Sequence, residues 1–497
     1  MTEKPYIETN LLKKPPFKSL EQLSTMAQDN NNRFALYATL LALGLVGGIS
    51  LLLWAITSRV DRSVQVDPSG SVLSDENLPQ ALRSRVSAGE KALFDRPSAE
   101  KTQGIEAIAQ NNYADAITAF NASLAKDPND PEAFIYRNNA RIGDKKARTI
   151  AVVVPSEGIG VSLEMLRGAA QAQYDINRNG GIDGALLRVV IVKDENDVDV
   201  AEAISQTLIS DEMVLGVVGH YSSDVTLETA PIYAQGKLVT ISPVSTAVDL
   251  SGISPYLYRT VPSDSFSAAA LAAYMVYYRE DRNAAIFFDS TSEASRSLKA
   301  EFASFVSAWG GDIVAEYDLS VSGFSRDVLL KAEQDSADTL MIASSLNTLD
   351  AAVDIINANA GMLPVLGGDE LYNRTLLVET RANSQALTLS VPWHLLSRDT
   401  DAEFVRSSQD LWKGDVSWRT ASTYDAVLAI ATGLQGDATR EGLKAALDSE
   451  DFNLDTASGP LSFLPSGDRR QVDRLVKVEA GTRSGAGYDF IPFTPFE

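Results

Sequence analysis

Residues 216–251, GVVGHYSSDVTLETAPIYAQGKLVTISPVSTAVDLS, constrain the fold more than any other stretch. Two short apolar runs, 215–219 and 238–241, each open into a hydroxyl-rich loop. The first loop is His220-Tyr221-Ser222-Ser223 and the second is Ser242-Pro243-Val244-Ser245-Thr246. Apolar runs of this length bounded by turn formers read as buried strands, and the stretch after each loop reads as a helix. Strand, polar loop and helix, then the same again, is a parallel α/β layout. Its loops gather at the carboxyl ends of the strands. Hydroxyls, free N–H groups and helix dipoles together suit a small anion there.

The same rhythm extends to both sides. Residues 150–154 form a continuous apolar strand, followed by a helix with Leu163, Leu166, Ala170 and Tyr174 on one face. Asn179-Gly180-Gly181 ends that helix. A second strand, 186–192, precedes a helix with Val200, Ile204 and Leu208 in register. After Gly252 come apolar runs at 284–288, 313–317, 339–343 and 364–366 with helices between. Two parallel sheets in series predict an α/β chain with two Rossmann-like lobes.

Six segments, in order, carry a resemblance: IAVVVPSEG at 150–158, RGAAQAQYDINRNGGIDG at 167–184, GVVGHYSSD at 216–224, ISPVST at 241–246, STYDAVLAIATGL at 422–434 and SGPLSFLPSGDRR at 458–470. The chain from about residue 149 to 481 resembles the type I periplasmic binding proteins of the leucine/isoleucine/valine-binding branch. The resemblance implies two lobes closing on an α-amino acid. It puts the ligand carboxylate on Ser223 and Thr246, with the Ser245 backbone carbonyl turned to the ammonium. Aligned through VLGGDELYN, Asp369 pairs with that ammonium, and Glu370 is the fallback. The alternative for Ser223 and Thr246 is helix capping; for Asp369 it is a solvated loop carboxylate. Crossovers near Pro262, 391–393 and Gly459 give lobe 1 as 149–262 with 394–458, and lobe 2 as 263–393 with 459–497.

The family often lines its cleft with aromatics where this chain has Val161, Glu293 and Ser345. A more polar pocket follows, with Trp393 and Trp418 as replacement walls or as packing near a crossover. His220 reads as structural.

Residues 34–58, FALYATLLALGLVGGISLLLWAITS, hold no charge and are long enough to span a bilayer as a helix. Lys4, Lys13, Lys14, Lys18 and Arg33 precede the run, against Arg59 and Arg62 after it. That bias predicts a cytoplasmic tail (1–33), with everything after the span outside the cytoplasmic membrane. Residues 59–96 read as a linker with one short helix. Within 97–148, Gly104, Ala107, Tyr113, Ala116, Phe120, Leu124 and Pro128 fall at tetratricopeptide spacing. This segment is either a partner-binding repeat or a helical spacer packed on its neighbour.

The 497 residues carry a formal net charge of -23, which argues against nucleic acid as a partner because phosphates would be repelled. With no cysteine there is no disulfide and no thiolate metal site. No metal, nucleotide or hydrolase motif is present, so no cofactor and no enzyme activity are expected. The combined expectation is a membrane-anchored extracytoplasmic solute-binding protein. It would hold an amino acid or amide-like molecule and serve an ATP-driven (ABC) permease. A ligand-sensing receptor signalling to a partner and a non-binding interaction scaffold are the alternatives.

Overall fold

The computed structural model describes residues 73, 78–94, 97–156, 159–321, 336–397 and 401–495. The expected membrane span and the tail before it lie outside the described residues. Among the described residues, no helix is long and apolar enough to cross a membrane.

The first lobe is built on a six-stranded sheet. Its strands are β1 (Val86–Ser87), β2 (Ala147–Val154), β3 (Leu186–Lys193), β4 (Val214–Val218), β5 (Thr240–Ser242) and β6 (Leu257–Arg259), in spatial order β1-β3-β2-β4-β5-β6. Strands β2 to β6 pair in parallel, and residues 150–154 of β2 are completely buried because helices cover both faces. β1 comes from the segment expected to be a linker. It adds antiparallel to the edge of β3, with Val86 opposite Val192. Two residues carry no periodicity, so only the exposed edge of β3 defines this strand.

The second sheet begins with β7 (Asn283–Phe288), β8 (Asp312–Asp318), β9 (Thr339–Ala343), β10 (Val365–Gly367) and β11 (Leu387–Val391). The chain then returns to the first lobe. Helix Trp418–Gly433 packs on helix Ile159–Arg178 so closely that a Cβ at Gly168 would meet the backbone nitrogen of Tyr424 at 2.8 Å. A small hairpin follows, β12 (Leu454–Thr456) and β13 (Gly459–Leu461). Strands β14 (Arg474–Ala480) and β15 (Tyr488–Phe493) complete the second sheet antiparallel, in order β15-β14-β11-β10-β9-β7-β8. The α/β architecture is therefore two-lobed, with mixed rather than purely parallel sheets.

Two buried ion pairs fix the strands that cross between lobes. Arg259, ending β6, binds Asp468 and donates to the Ala247 carbonyl at 2.8 Å. Arg469 donates to Asp425 at 2.9 Å and to the Thr260 carbonyl at 3.1 Å. The Asp468-Arg469 pair of SGPLSFLPSGDRR thus belongs to the crossover. The chain still lies against β6 at Gly467, beyond the Gly459 boundary expected from sequence, and enters the second sheet only at Arg474.

Residues 97–142 form three helices, Ala99–Ala109, Tyr113–Lys126 and Pro131–Ile142. Ala116 and Phe120 are fully buried, and a Cβ on Gly104 would meet the Phe120 ring at 2.8 Å. Small-against-large packing at these positions is what the sequence spacing requires. Buried Lys101 joins the first and third helices through Asp130 at 2.8 Å and Glu132 at 2.6 Å. The third helix is fastened to the first lobe. Phe134 packs on Tyr174 and Trp412, Asn138 donates to Gln173 at 3.2 Å, and Asn139 to the Val189 carbonyl at 2.7 Å. These contacts make the segment a layer seated on its neighbour.

Candidate functional site

A cavity of about 370 Å³ opens between the lobes. The first lobe supplies the loop after β4 and the loop after β5. The second supplies the start of helix Glu293–Ala308 and the loops after β7, β9 and β10.

The first loop feeds helix Ser223–Gln235 as expected, but the cap is Ser222. Its hydroxyl accepts the Val225 N–H at 3.3 Å. Ser223 is the first helical residue. It lines the cavity, and its hydroxyl accepts the Ala247 N–H at 3.2 Å, which ties the two loops together. The capping alternative for Ser223 therefore fails. The second loop corrects the repeated strand–loop–helix expectation. It leads only to a single 3-10 turn, Val248–Leu250, and the chain then turns back at Gly252 towards β6. Three of its N–H groups are already used: Ser245 donates to Ser242 Oγ at 3.1 Å, Ala247 to Ser223 Oγ at 3.2 Å and Val248 to Ser297 Oγ at 3.0 Å. Of the two hydroxyl loops, only the first thus brings a helix start to the cavity.

Thr246 is on the cavity wall. Its hydroxyl bonds to the Asp264 carboxyl, and its carbonyl accepts the Asp264 N–H at 2.8 Å. Ser245 is not brought to the wall. Its hydroxyl is shared with Thr226 Oγ1 at 2.8 Å and the Tyr221 carbonyl at 3.1 Å, and its own carbonyl faces Arg259 at 3.4 Å.

Asp369 follows β10 and lines the cavity from the second lobe. Burial raises its carboxyl well above the ordinary range. The Arg419 charge opposes the shift, while Glu370, Asp264 and Asp473 reinforce it. The fallback, Glu370, is already engaged: it accepts the Tyr221 hydroxyl at 2.7 Å and the Arg419 guanidinium at 3.1 Å. Tyr221 and Arg419 belong to the first lobe, so Glu370 latches one lobe to the other. Asp224 adds a second bridge by accepting the Glu293 N–H at 3.1 Å.

Trp418 and Tyr221 supply the aromatic surface of the wall, whereas Trp393 is buried against Phe404. Glu293 turns its side chain to Arg296, and Ser345 donates its hydroxyl to Asp289 at 2.5 Å. His220 is structural, held by Asp194 at 2.6 Å and the Tyr233 hydroxyl at 2.9 Å. The sequence reading missed Asp264 and Arg419. Asp264 opens helix Asp264–Ala273, where an acidic residue is ordinary; the crossover after β6 puts it beside Thr246. Burial pushes its carboxyl up to about 7, against hydrogen bonds from Ser297 and Thr246 and the charge of Arg259; Asp473 adds to the rise.

This geometry agrees with the comparisons to known proteins. A match to the periplasmic binding protein family covers residues 148–482. The leucine-specific-binding protein of Salmonella typhimurium is 24% identical over 309 residues, 61% of this chain and 82% of its own length. An amino acid binding protein of Pseudomonas aeruginosa is 28% identical over 144 residues; the match spans 28% of this chain and 38% of the length of that relative. Among solved structures, a branched-chain amino acid transporter substrate binding protein from Streptococcus pneumoniae, in complex with isoleucine, superposes with a TM-score of 0.60 at 19% identity. It covers 70% of this chain and 100% of its own. Two lobes, a cleft lined from both and a match over most of the chain establish that this protein belongs to the periplasmic binding protein family.

Proposed function

We propose that the protein is a membrane-anchored solute-binding protein that closes its lobes on a small amino acid or amide-like molecule and presents it to an ABC permease. One observation carries the reading: Ser223 at a helix start and Asp369 from the opposite lobe face a single cavity. A helix N-terminus with a hydroxyl suits a carboxylate, and a carboxyl across the cleft suits an ammonium. Thr246 joins the same wall. The names of the relatives support amino-acid transport. The uncharged run 34–58 supports an anchor with the N-terminus in the cytoplasm and the lobes outside.

Calorimetric titration of the full chain with a panel of amino acids and their amides tests the reading. Asp369→Asn is expected to weaken the best ligand by roughly 2–5 kcal/mol, the range for one partner of a desolvated charge pair. Ser223→Ala is expected to cost about 1–3 kcal/mol for the acid and less for its amide. Equal losses for acid and amide would remove Ser223 from the carboxylate site. Unchanged affinity in Asp369→Asn would remove the ammonium pairing.

A further inference from the structure

The charge inventory of the cleft goes further than one ammonium. Its wall carries five carboxyl groups, Asp224, Asp264, Asp289, Asp369 and Glu370, and among the described residues no lysine, arginine or histidine. Three of the five are committed. Asp224 holds the Glu293 N–H, and Glu370 holds Tyr221 and Arg419. Asp289 accepts the Thr291 N–H at 2.9 Å, the Thr291 hydroxyl at 2.6 Å and the Ser345 hydroxyl at 2.5 Å.

Asp369 remains, and Asp264 keeps one oxygen free although its carboxyl takes hydrogen bonds from Ser297 and Thr246. Asp264 is only 5% exposed, and its Oδ2 is buried with no hydrogen-bond partner. Asp473, which lies off the cavity wall, is equally buried; Ser390 donates to its Oδ2 at 3.1 Å and its Oδ1 has no partner. Asp264, Asp369 and Asp473 act on one another as like charges. The nearby guanidinium groups are committed elsewhere, Arg419 to Glu370 and Arg259 to Asp468. Buried carboxyl oxygens are normally paired. The Asp264 Oδ2 has almost no accessible surface, so a donor from the cavity meets it only when the Asp264 side chain turns to face the occupant. Among the described residues, no three acidic or histidine side chains converge as a metal ion needs. A cation bearing several N–H groups is a donor that also offsets the like charges of these carboxyl groups.

We propose that the solute of this cleft carries two positively charged nitrogens, one for Asp369 and one for Asp264, as a basic amino acid or a short diamine does. The inference rests on the reading of the cleft as a solute site in which Asp369 takes an ammonium. Leu298, Leu346 and Trp418 on the same wall offer apolar surface for a methylene stem between the charges.

Titration of the full chain with L-lysine, L-ornithine, 1,4-diaminobutane, L-norleucine and L-leucine decides it. Norleucine has the lysine stem without the terminal charge. Lysine or ornithine is expected to bind at least tenfold tighter than norleucine, and Asp264→Asn is expected to bring that ratio close to one. Diaminobutane binding without lysine binding would uphold two cationic groups and remove the carboxylate role of Ser223. Norleucine or leucine binding as tightly as lysine and the diamine would overturn the inference and leave the amino-acid site standing. Binding of none of the five would overturn both. The ligand comparison on the unaltered chain decides the matter even if Asp264→Asn fails to fold.

Discussion

Asp264 shows how far one residue departs from its sequence context. Its carboxyl sits near 7 in the folded chain, against an ordinary value of 3.8. An acid raised on folding binds its proton more tightly in the native state than in the unfolded one. Below about pH 4 both states are protonated and nothing is gained or lost. As pH rises to 7 the unfolded chain ionises first and native stability falls, by about 4 kcal/mol once both states are ionised. Asp264→Asn removes this loss. The ligand-free variant is expected to melt close to the parent at pH 4 and above it at pH 8, with the gap opening between. A melting difference that does not change with pH would contradict the assignment. Ser223 and Asp369 were legible because their motifs follow strands that any α/β chain ends at the cleft. The setback of Ser245 was not, since the Arg259 that faces its carbonyl is brought there by β6.

At the scale of elements, apolar periodicity located β2 to β5 and β7 to β10 but not β1, β6, β11, β14 or β15, and Gly–Ala–Phe spacing located the helical layer. The close approach of its first two helices gives a direct test. Gly104→Val would drive a branched side chain into the Phe120 ring. The expected cost is about 1–3 kcal/mol of stability, as for overpacking elsewhere, read by thermal melting of the full chain. An unchanged melting temperature would mean that the helices are free to move apart. The helix expected after the second hydroxyl loop failed for a reason no local pattern holds: Ser242, Ser223 and Ser297 take its N–H groups, and Ser297 comes from the other lobe. The strand β1 exists only because β3 leaves an edge to be covered.

For the whole molecule, the arrangement of lobes depends on the crossovers. Asp425 and Arg469 are both completely buried and paired at 2.9 Å. Asp425→Ala leaves the guanidinium buried without its counter-charge and is expected to cost about 3–5 kcal/mol, read by denaturant unfolding. A loss below about 1 kcal/mol would show that water reaches the site. The anchor is tested on the intact chain: a reporter fused after Glu497 that works only outside the cytoplasm is expected to be active, and one that works only inside is expected to be silent. The reverse pattern would invert the topology. The sequence by itself determined the two-lobed α/β class, the strand runs, the hydroxyl loops and the uncharged run, because these follow from local periodicity, composition and charge. Only the tertiary structure decided which carboxyl groups face the cavity and which are already paired. Those pairings join residues far apart in the chain, such as Tyr221 with Glu370 and Thr246 with Asp264, and no local pattern in the sequence encodes the distance between two lobes.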